Sequence, residues 1–128
     1  RLLLRVCDVM RTGAANPIVR DTALVKDVLL AITHARAGCA SIVDGRGRLV
    51  GIFTDGDLRR HLERTPNLAQ ARVAAVMTAG PKTIAPDRLA AEALRMLREH
   101  RIDELVVVDA ARRPVGLLDV QDLLKAGV

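Results

Sequence analysis

The chain has no tryptophan, no tyrosine and a single phenylalanine, Phe53, in 128 residues. Half of its residues are nonetheless apolar, so the core has to be built from Leu, Val, Ile and Ala. Such a core has no aromatic platform on which the bases of a nucleic acid could stack. Cysteine is almost as scarce. Cys7 and Cys39 have neither CxxC spacing nor a nearby histidine that would complete a metal site, and they read as buried, inert thiols in a reducing compartment. No apolar run approaches the ~18 residues of a membrane span, and no signal sequence is visible. A cytoplasmic location with no membrane partner is therefore expected. The sequence opens on Arg1 rather than Met, which leads us to expect a piece of something longer. Acidic residues are outnumbered, 15 against 20 basic, for a formal charge of +5. The basic residues are scattered, however, with Arg59-Arg60 and Arg112-Arg113 the only adjacent pairs. Without a basic stripe the charge reads as a solvated surface, and nucleic acid is not an expected partner.

What the chain does have is repetition. Gly51-Ile52-Phe53-Thr54-Asp55-Gly56-Asp57 returns 65 positions later as Gly116-Leu117-Leu118-Asp119-Val120-Gln121-Asp122. From Val19 onward the two halves align at that offset without a gap: Val19 with Ile84, Leu24 with Leu89, Val43 with Val108, Asp44 with Asp109. Upstream, Val6 to Met10 corresponds to Val73 to Met77, and the loop after Met10 carries two extra residues. A tandem repeat of about sixty residues follows.

Each half predicts the same elements. A short strand (17–20; 82–85) leads to an N-cap candidate, Thr22 or Asp87. A helix follows with Leu24, Val28 and Ile32, or Leu89, Ala93, Leu94 and Leu97, on one face. Gly38 is expected to end the first helix. Strands 40–44 and 49–53 then form a hairpin through Gly45-Arg46-Gly47, and strands 105–109 and 114–118 do so through a turn that lacks glycine and is expected to be looser. A last helix begins at Thr54 or Asp119. The predicted class is α/β (α+β), two β-α-β-β-α repeats packed sheet to sheet with pseudo-two-fold symmetry. The expected boundaries are 6–64 and 73–126, joined by a linker at 65–72, with 1–128 forming one module, because a single half has too few layers to cover both faces of its sheet.

The repeated turn is also where chemistry concentrates. Thr54 followed by Asp57 is a capping box at the junction of strand and helix, and a helix N-terminus attracts anions. Asp119 with Asp122 caps equally well, since Asp is as good an N-cap as Thr. The remaining polar candidates point elsewhere. His34, His61 and His100 have no partner at ligand spacing and read as helix-surface residues, so no metal and no catalytic residue is expected. Met10 and Met77 occupy equivalent positions and read as packing residues. Asp55 and Asp57 point in different directions from the helix start, and dipole stabilisation accounts for them.

With its paired hairpin strands followed by Gly-x-x-[Thr or Asp]-x-x-Asp, the whole chain resembles a tandem pair of cystathionine-β-synthase (CBS) domains. Leu2-Leu3-Leu4-Arg5-Val6, the run from Gly51 to Arg60, Pro81-Lys82-Thr83-Ile84 and Asp122-Leu123-Leu124-Lys125-Ala126-Gly127-Val128 narrow the resemblance. They are similar to the C-terminal CBS pair of bacterial arabinose-5-phosphate isomerases, in which a sugar-isomerase domain precedes the pair. The resemblance implies a regulatory, non-catalytic fragment that needs no cofactor. Its effector would be an adenine nucleotide or a cytidine-nucleotide-activated sugar, bound in a cleft between repeats. Carried over, Thr54 and Asp57 would hold the sugar-phosphate above Ile52, and Lys82, Ala85 and Ile102 would border the base, with Glu104 accepting from an exocyclic amino group. The second cleft, on Asp119 and Asp122, departs from the pattern. A carboxylate facing a phosphate is repulsive unless a cation or proton intervenes, so at most one phosphate-competent cleft is expected. The resemblance also implies self-association of the pair. The alternative is a purely structural dimerisation module, in which Thr54 and Asp57 are helix caps and nothing more.

Overall fold

In the computed structural model, which describes residues 3–128, both halves follow the predicted β-α-β-β-α path. Arg1 and Leu2, read from sequence as the end of a linker or helix, lie outside the described residues. After a one-turn helix α1 (Val6–Val9), the first half runs through β1 (Ile18–Arg20), α2 (Val25–Ala35), β2 (Cys39–Val43), β3 (Leu49–Thr54) and α3 (Asp55–Leu62). The second half begins with β4 (Thr78–Ala79). It continues through β5 (Thr83–Ile84), α4 (Ala90–His100), β6 (Glu104–Val108), β7 (Pro114–Asp119) and α5 (Val120–Lys125). Two sheets result, with strand orders β1-β2-β3-β4 and β5-β6-β7. In each, the short first strand lies parallel to the hairpin and the hairpin strands are antiparallel.

The leading segments are exchanged between the halves. α1 and the residues after it pack on the second sheet: Val6 N–H donates to the Arg88 carbonyl at 2.8 Å, and Arg11 pairs with Leu117 through bonds of 2.8 and 3.1 Å. The corresponding 73–79 segment serves the first sheet, where Val73 N–H reaches the Ala23 carbonyl at 2.8 Å and β4 pairs with β3. The cores record the same exchange. Val6 is buried with Ala93, Leu97 and Leu118 of the second half, whereas Val73 is buried with Val28, Ile42 and Phe53 of the first. A third cluster, Cys39, Leu49, Val106 and Leu117, forms the seam between the sheets.

This exchange corrects the helix starts. α2 and α4 begin at Val25 and Ala90, not at Thr22 and Asp87, and neither has a side-chain cap. Their first N–H groups are taken by carbonyls of the exchanged segments, Val25 by Ala71 and Ala90 by Leu4, each at 2.9 Å. The N–H groups two residues on, which a side-chain cap would serve, are met by backbone as well, Asp27 by the Leu24 carbonyl and Glu92 by the Leu89 carbonyl, each at 3.0 Å. The helix ends also differ from expectation. Arg36 (φ 55°) and Arg101 (φ 53°) take the left-handed position, and Gly38 lies beyond it. Ala37 and Ile102 then donate back to Ile32 and Leu97 at 3.1 and 3.0 Å, a Schellman closure.

The second hairpin turn is as tight as the first. Asp44 and Asp109 each accept two backbone N–H groups on one carboxylate oxygen, from Arg46 and Arg48 at 2.8 and 3.0 Å, and from Ala111 and Arg113 at 2.9 Å. These aspartates organise the turns, and Arg112 (φ 62°) adopts the left-handed conformation that Gly47 (φ 78°) has in the first. Of the two cysteines, Cys39 is buried as expected, but Cys7 is exposed because the exchanged α1 turns it outward. Among the described residues, no helix is long and apolar enough to cross a membrane.

Candidate functional site

β3 delivers Thr54 to the start of α3, and both predicted capping boxes form there and at the start of α5. Thr54 Oγ1 accepts from Asp57 N–H at 3.3 Å while Asp57 Oδ2 accepts from Thr54 N–H at 2.9 Å. Asp119 Oδ1 accepts from Asp122 N–H at 2.7 Å, and Asp122 Oδ2 from Asp119 N–H at 3.2 Å. Up to this point the two turns are alike.

Their surroundings differ. Beside the first turn a cleft of about 540 Å³ opens between the repeats, and Ile52, Thr54, Lys82, Ile102 and Glu104 all line it. Ala85 does not. β5 ends at Ile84 and the chain turns at Pro86 to meet α4, which leaves Ala85 in a separate depression of about 620 Å³. Asp57 lies beneath the cleft rather than on its wall, with 1% of its surface exposed. Its Oδ1 accepts from the Thr78 hydroxyl at 2.6 Å and from the Arg60 guanidinium, and its Oδ2 also receives the Thr54 hydroxyl at 3.2 Å. A ribose hydroxyl could reach this carboxylate by replacing Thr78 or Arg60 as donor.

The cleft is bipolar. Arg59, Arg60, Lys82 and Arg101 bring positive charge to its walls, close to the electropositive N-terminus of α3. Opposite them, the Glu104 carboxylate makes no hydrogen bond or ion pair among the described residues. Burial, aided by the charges of Asp103, Asp119 and Asp55, pushes its pKa up to about 7. The Glu104 carboxylate lies against Gly38, where a Cβ would stand 2.7 Å from Glu104 Oε2 and would turn the end of this flexible side chain aside. From sequence, Gly38 is expected to end α2 and Arg59 and Arg60 read as surface charge. A signal for the arginines was available, since three and four residues along a helix from Asp57, Gly56 and Asp55 is the same face. The parts played by Arg101 and Gly38 depend on contacts between halves and had no local signal.

The second turn is filled from within. The guanidinium of Arg11 donates from Nε to Asp122 Oδ2 at 3.0 Å, from one terminal nitrogen to Asp119 Oδ2 at 3.4 Å, and from the other to the Arg36 carbonyl at 3.1 Å. Burial works against this cation, but the hydrogen bond and charge of Asp122 and the charge of Asp119 outweigh it, and the Arg11 pKa is raised. Nearby Cys39 is held as the thiol, chiefly by burial and then by the charges of Glu104 and Asp119. Among the described residues, no group of three or more His, Cys, Asp or Glu side chains is placed to hold a metal ion.

A family model, the CBS domain, matches residues 6–64 and 73–128. Arabinose 5-phosphate isomerase KdsD of Pseudomonas aeruginosa is 46% identical to this chain over 128 residues, and that of Escherichia coli K12 is 41% identical. The match takes in 100% of this chain but only 39% of the length of either relative. Among solved structures, a CBS domain pair in complex with 5′-methylthioadenosine and S-adenosyl-L-methionine superposes with a TM-score of 0.87. That superposition covers 98% of this chain and 97% of the other at 21% identity. CBSX2 in complex with AMP superposes with a TM-score of 0.80, over 97% and 96% at 24% identity. Since the family model takes in both halves and the paired sheets share the architecture of those structures, this chain belongs to the CBS-domain family, as a tandem pair.

Proposed function

We propose that this chain is the regulatory, non-catalytic CBS pair of an arabinose-5-phosphate isomerase-like sugar-phosphate isomerase in the cytoplasm. Its first cleft binds a nucleotide or nucleotide-sugar and couples occupancy to the attached isomerase domain. The observation that carries this reading is the bipolar cleft beside Thr54. Helix N–H groups and Arg59, Arg60 and Lys82 suit a phosphate, Ile52 and Ile102 supply apolar walls for a base, and the unpaired Glu104 faces the same space. A carboxylate without a partner favours a base that carries an exocyclic amino group, adenine or cytosine, over uracil. Asp103 and Glu104 disfavour a triphosphate. The relatives named above lend the isomerase context, and a cytidine-nucleotide-activated sugar made downstream would be a natural feedback effector. Coupling requires that the ligand favour one packing of the two repeats over another.

Isothermal titration calorimetry of the chain with AMP, CMP, UMP and cytidine-nucleotide-activated Kdo tests this. Saturable binding of an adenine or cytosine ligand, with UMP weaker, is expected. No heat at millimolar concentration of any of the four would refute the reading. A second reading, self-association through the helices, rests on the exposed Leu62 of α3 and Leu124 of α5, 61% and 47% accessible. Sedimentation equilibrium tests the self-association, and a dimer that binds none of the four nucleotides would favour the structural reading.

A further inference from the structure

The position one residue past Met10 is Arg11, and the position one residue past its counterpart Met77 is Thr78. Both pair with the same place in their sheets, Arg11 with Leu117 and Thr78 with Ile52. Both also donate to the capping-box carboxylate next door, Thr78 to Asp57 at 2.6 Å and Arg11 to Asp122 at 3.0 Å. The two turns therefore differ by a matched pair of changes. Where the N-cap is Thr54 the leading segment donates a hydroxyl, and where it is Asp119 the leading segment donates a guanidinium, which neutralises the extra carboxylate. The side chain of Arg11 then reaches on to the carbonyl of Arg36, at the left-handed end of α2. The residue equivalent to Arg36 is Arg101, which lines the open first cleft. Arg11 thus extends from the turn of one repeat to the helix end of the other, the span that a ligand has available in the first cleft.

We propose that Arg11 is the built-in occupant of the second cleft. Its guanidinium takes the place of an external ligand and restricts the pair to a single binding site. This rests on the nucleotide reading of the first cleft only for the identity of the probe. The occupancy itself concerns three contacts of this chain, each formed by a side chain about a quarter or less exposed or by a backbone carbonyl. Because Arg11 sits at the end of the exchanged leading segment, it also fastens that segment to both repeats at once.

Two measurements on the 128-residue chain test it. In 15N-detected NMR of the wild type, one arginine Nε–H, assigned to Arg11 by its loss in Arg11→Lys, should exchange with water at least about tenfold more slowly than the surface arginines. If no arginine Nε–H is protected, the cleft is not occupied and the proposal falls. The second measurement is the charge-neutral exchange of Arg11→Thr with Asp119→Thr, which copies the first turn into the second. Titration with AMP and CMP should give one site in the wild type and two in the double variant. Two sites in the wild type, or one in a folded double variant, would overturn the proposal. If the wild type binds neither nucleotide, it is the nucleotide reading that fails, and the protection of Arg11 alone decides whether the occupant is real.

Discussion

Glu104 and its counterpart Cys39 occupy equivalent positions, yet one is a carboxyl held near neutrality and the other a thiol kept protonated. Burial is the first cause in both, which places the difference in side-chain chemistry rather than in the fold. For Glu104 the consequence for stability has a definite sign. Its folded pKa of about 7 lies above the ordinary carboxyl value, so the folded state binds the proton more tightly than the unfolded one. Stability therefore falls as pH rises between the ordinary value and about 7, and is level above that. We expect Glu104→Gln to remove this slope and to stabilise the protein at pH 8 by on the order of 1–3 kcal/mol, with solvent screening favouring the lower end. Urea midpoints of both forms at pH 5 and pH 8 check it, and an unchanged difference between the two pH values would contradict the assignment. Glu104 was legible as an acid near the ligand, but its unpaired state was not. The carboxylate lies against Gly38, 66 positions away in sequence, and no local pattern announces surroundings that distant.

At the scale of elements, the repeated glycines show how the exchanged segments are seated. Gly51 in β3 and Gly116 in β7 each lie under a methionine of the opposite leading segment, Met77 and Met10. A Cβ at Gly51 would stand 2.5 Å from Met77 Sδ and 2.9 Å from the backbone carbonyl of Thr78, whereas at Gly116 all of the nearest atoms belong to the Met10 side chain. A flexible thioether can move and a paired backbone cannot. Both Gly→Ala substitutions should destabilise, by about 1–3 kcal/mol as overpacking does, with Gly51→Ala the worse. Denaturation midpoints that rank them the other way would contradict this seating.

The strands, the helices and both capping boxes were legible because each is a local pattern: alternation, a 3.6-residue stripe, a hydroxyl or carboxylate three residues before another carboxylate. The helix starts were misread for the opposite reason. The carbonyls that serve Val25 and Ala90 come from Ala71 and Leu4, and no local pattern announces a partner that distant. The second hairpin turn was judged by its missing glycine, when the aspartate before it was the feature that mattered.

At the scale of the whole molecule, the two halves meet along an apolar seam of Cys39, Leu49, Val106 and Leu117. Ser41 faces that seam opposite Ile52, fully buried, and its hydroxyl has no partner among the described residues. Its equivalent in the second repeat is Val106. Replacing a buried, unpaired hydroxyl with the side chain its symmetry mate carries should stabilise, so Ser41→Val is expected to raise stability by about 1 kcal/mol. A loss of stability in thermal unfolding would mean that the hydroxyl is satisfied or that the seam cannot take the volume. The pseudo-two-fold packing was readable from the repeat, but the asymmetry of the two clefts was only half so. Asp119 in place of threonine was visible in the sequence, while the guanidinium that balances it comes from more than a hundred residues away.

That asymmetry is the centre of the account, and a thermal-shift series tests it most directly. The wild type, Asp57→Ala and Asp122→Ala are each melted with AMP, with CMP and with cytidine-nucleotide-activated Kdo. A ligand at one hundred times its dissociation constant stabilises by about 2.7 kcal/mol, a shift of several degrees at this size. The account predicts such a shift for at least one ligand in the wild type, its retention in Asp122→Ala and its loss in Asp57→Ala, both variants starting from a lower baseline because each loses the carboxylate half of its capping box. A shift that survives Asp57→Ala and disappears in Asp122→Ala would put the ligand in the cleft that Arg11 fills, and would contradict the account.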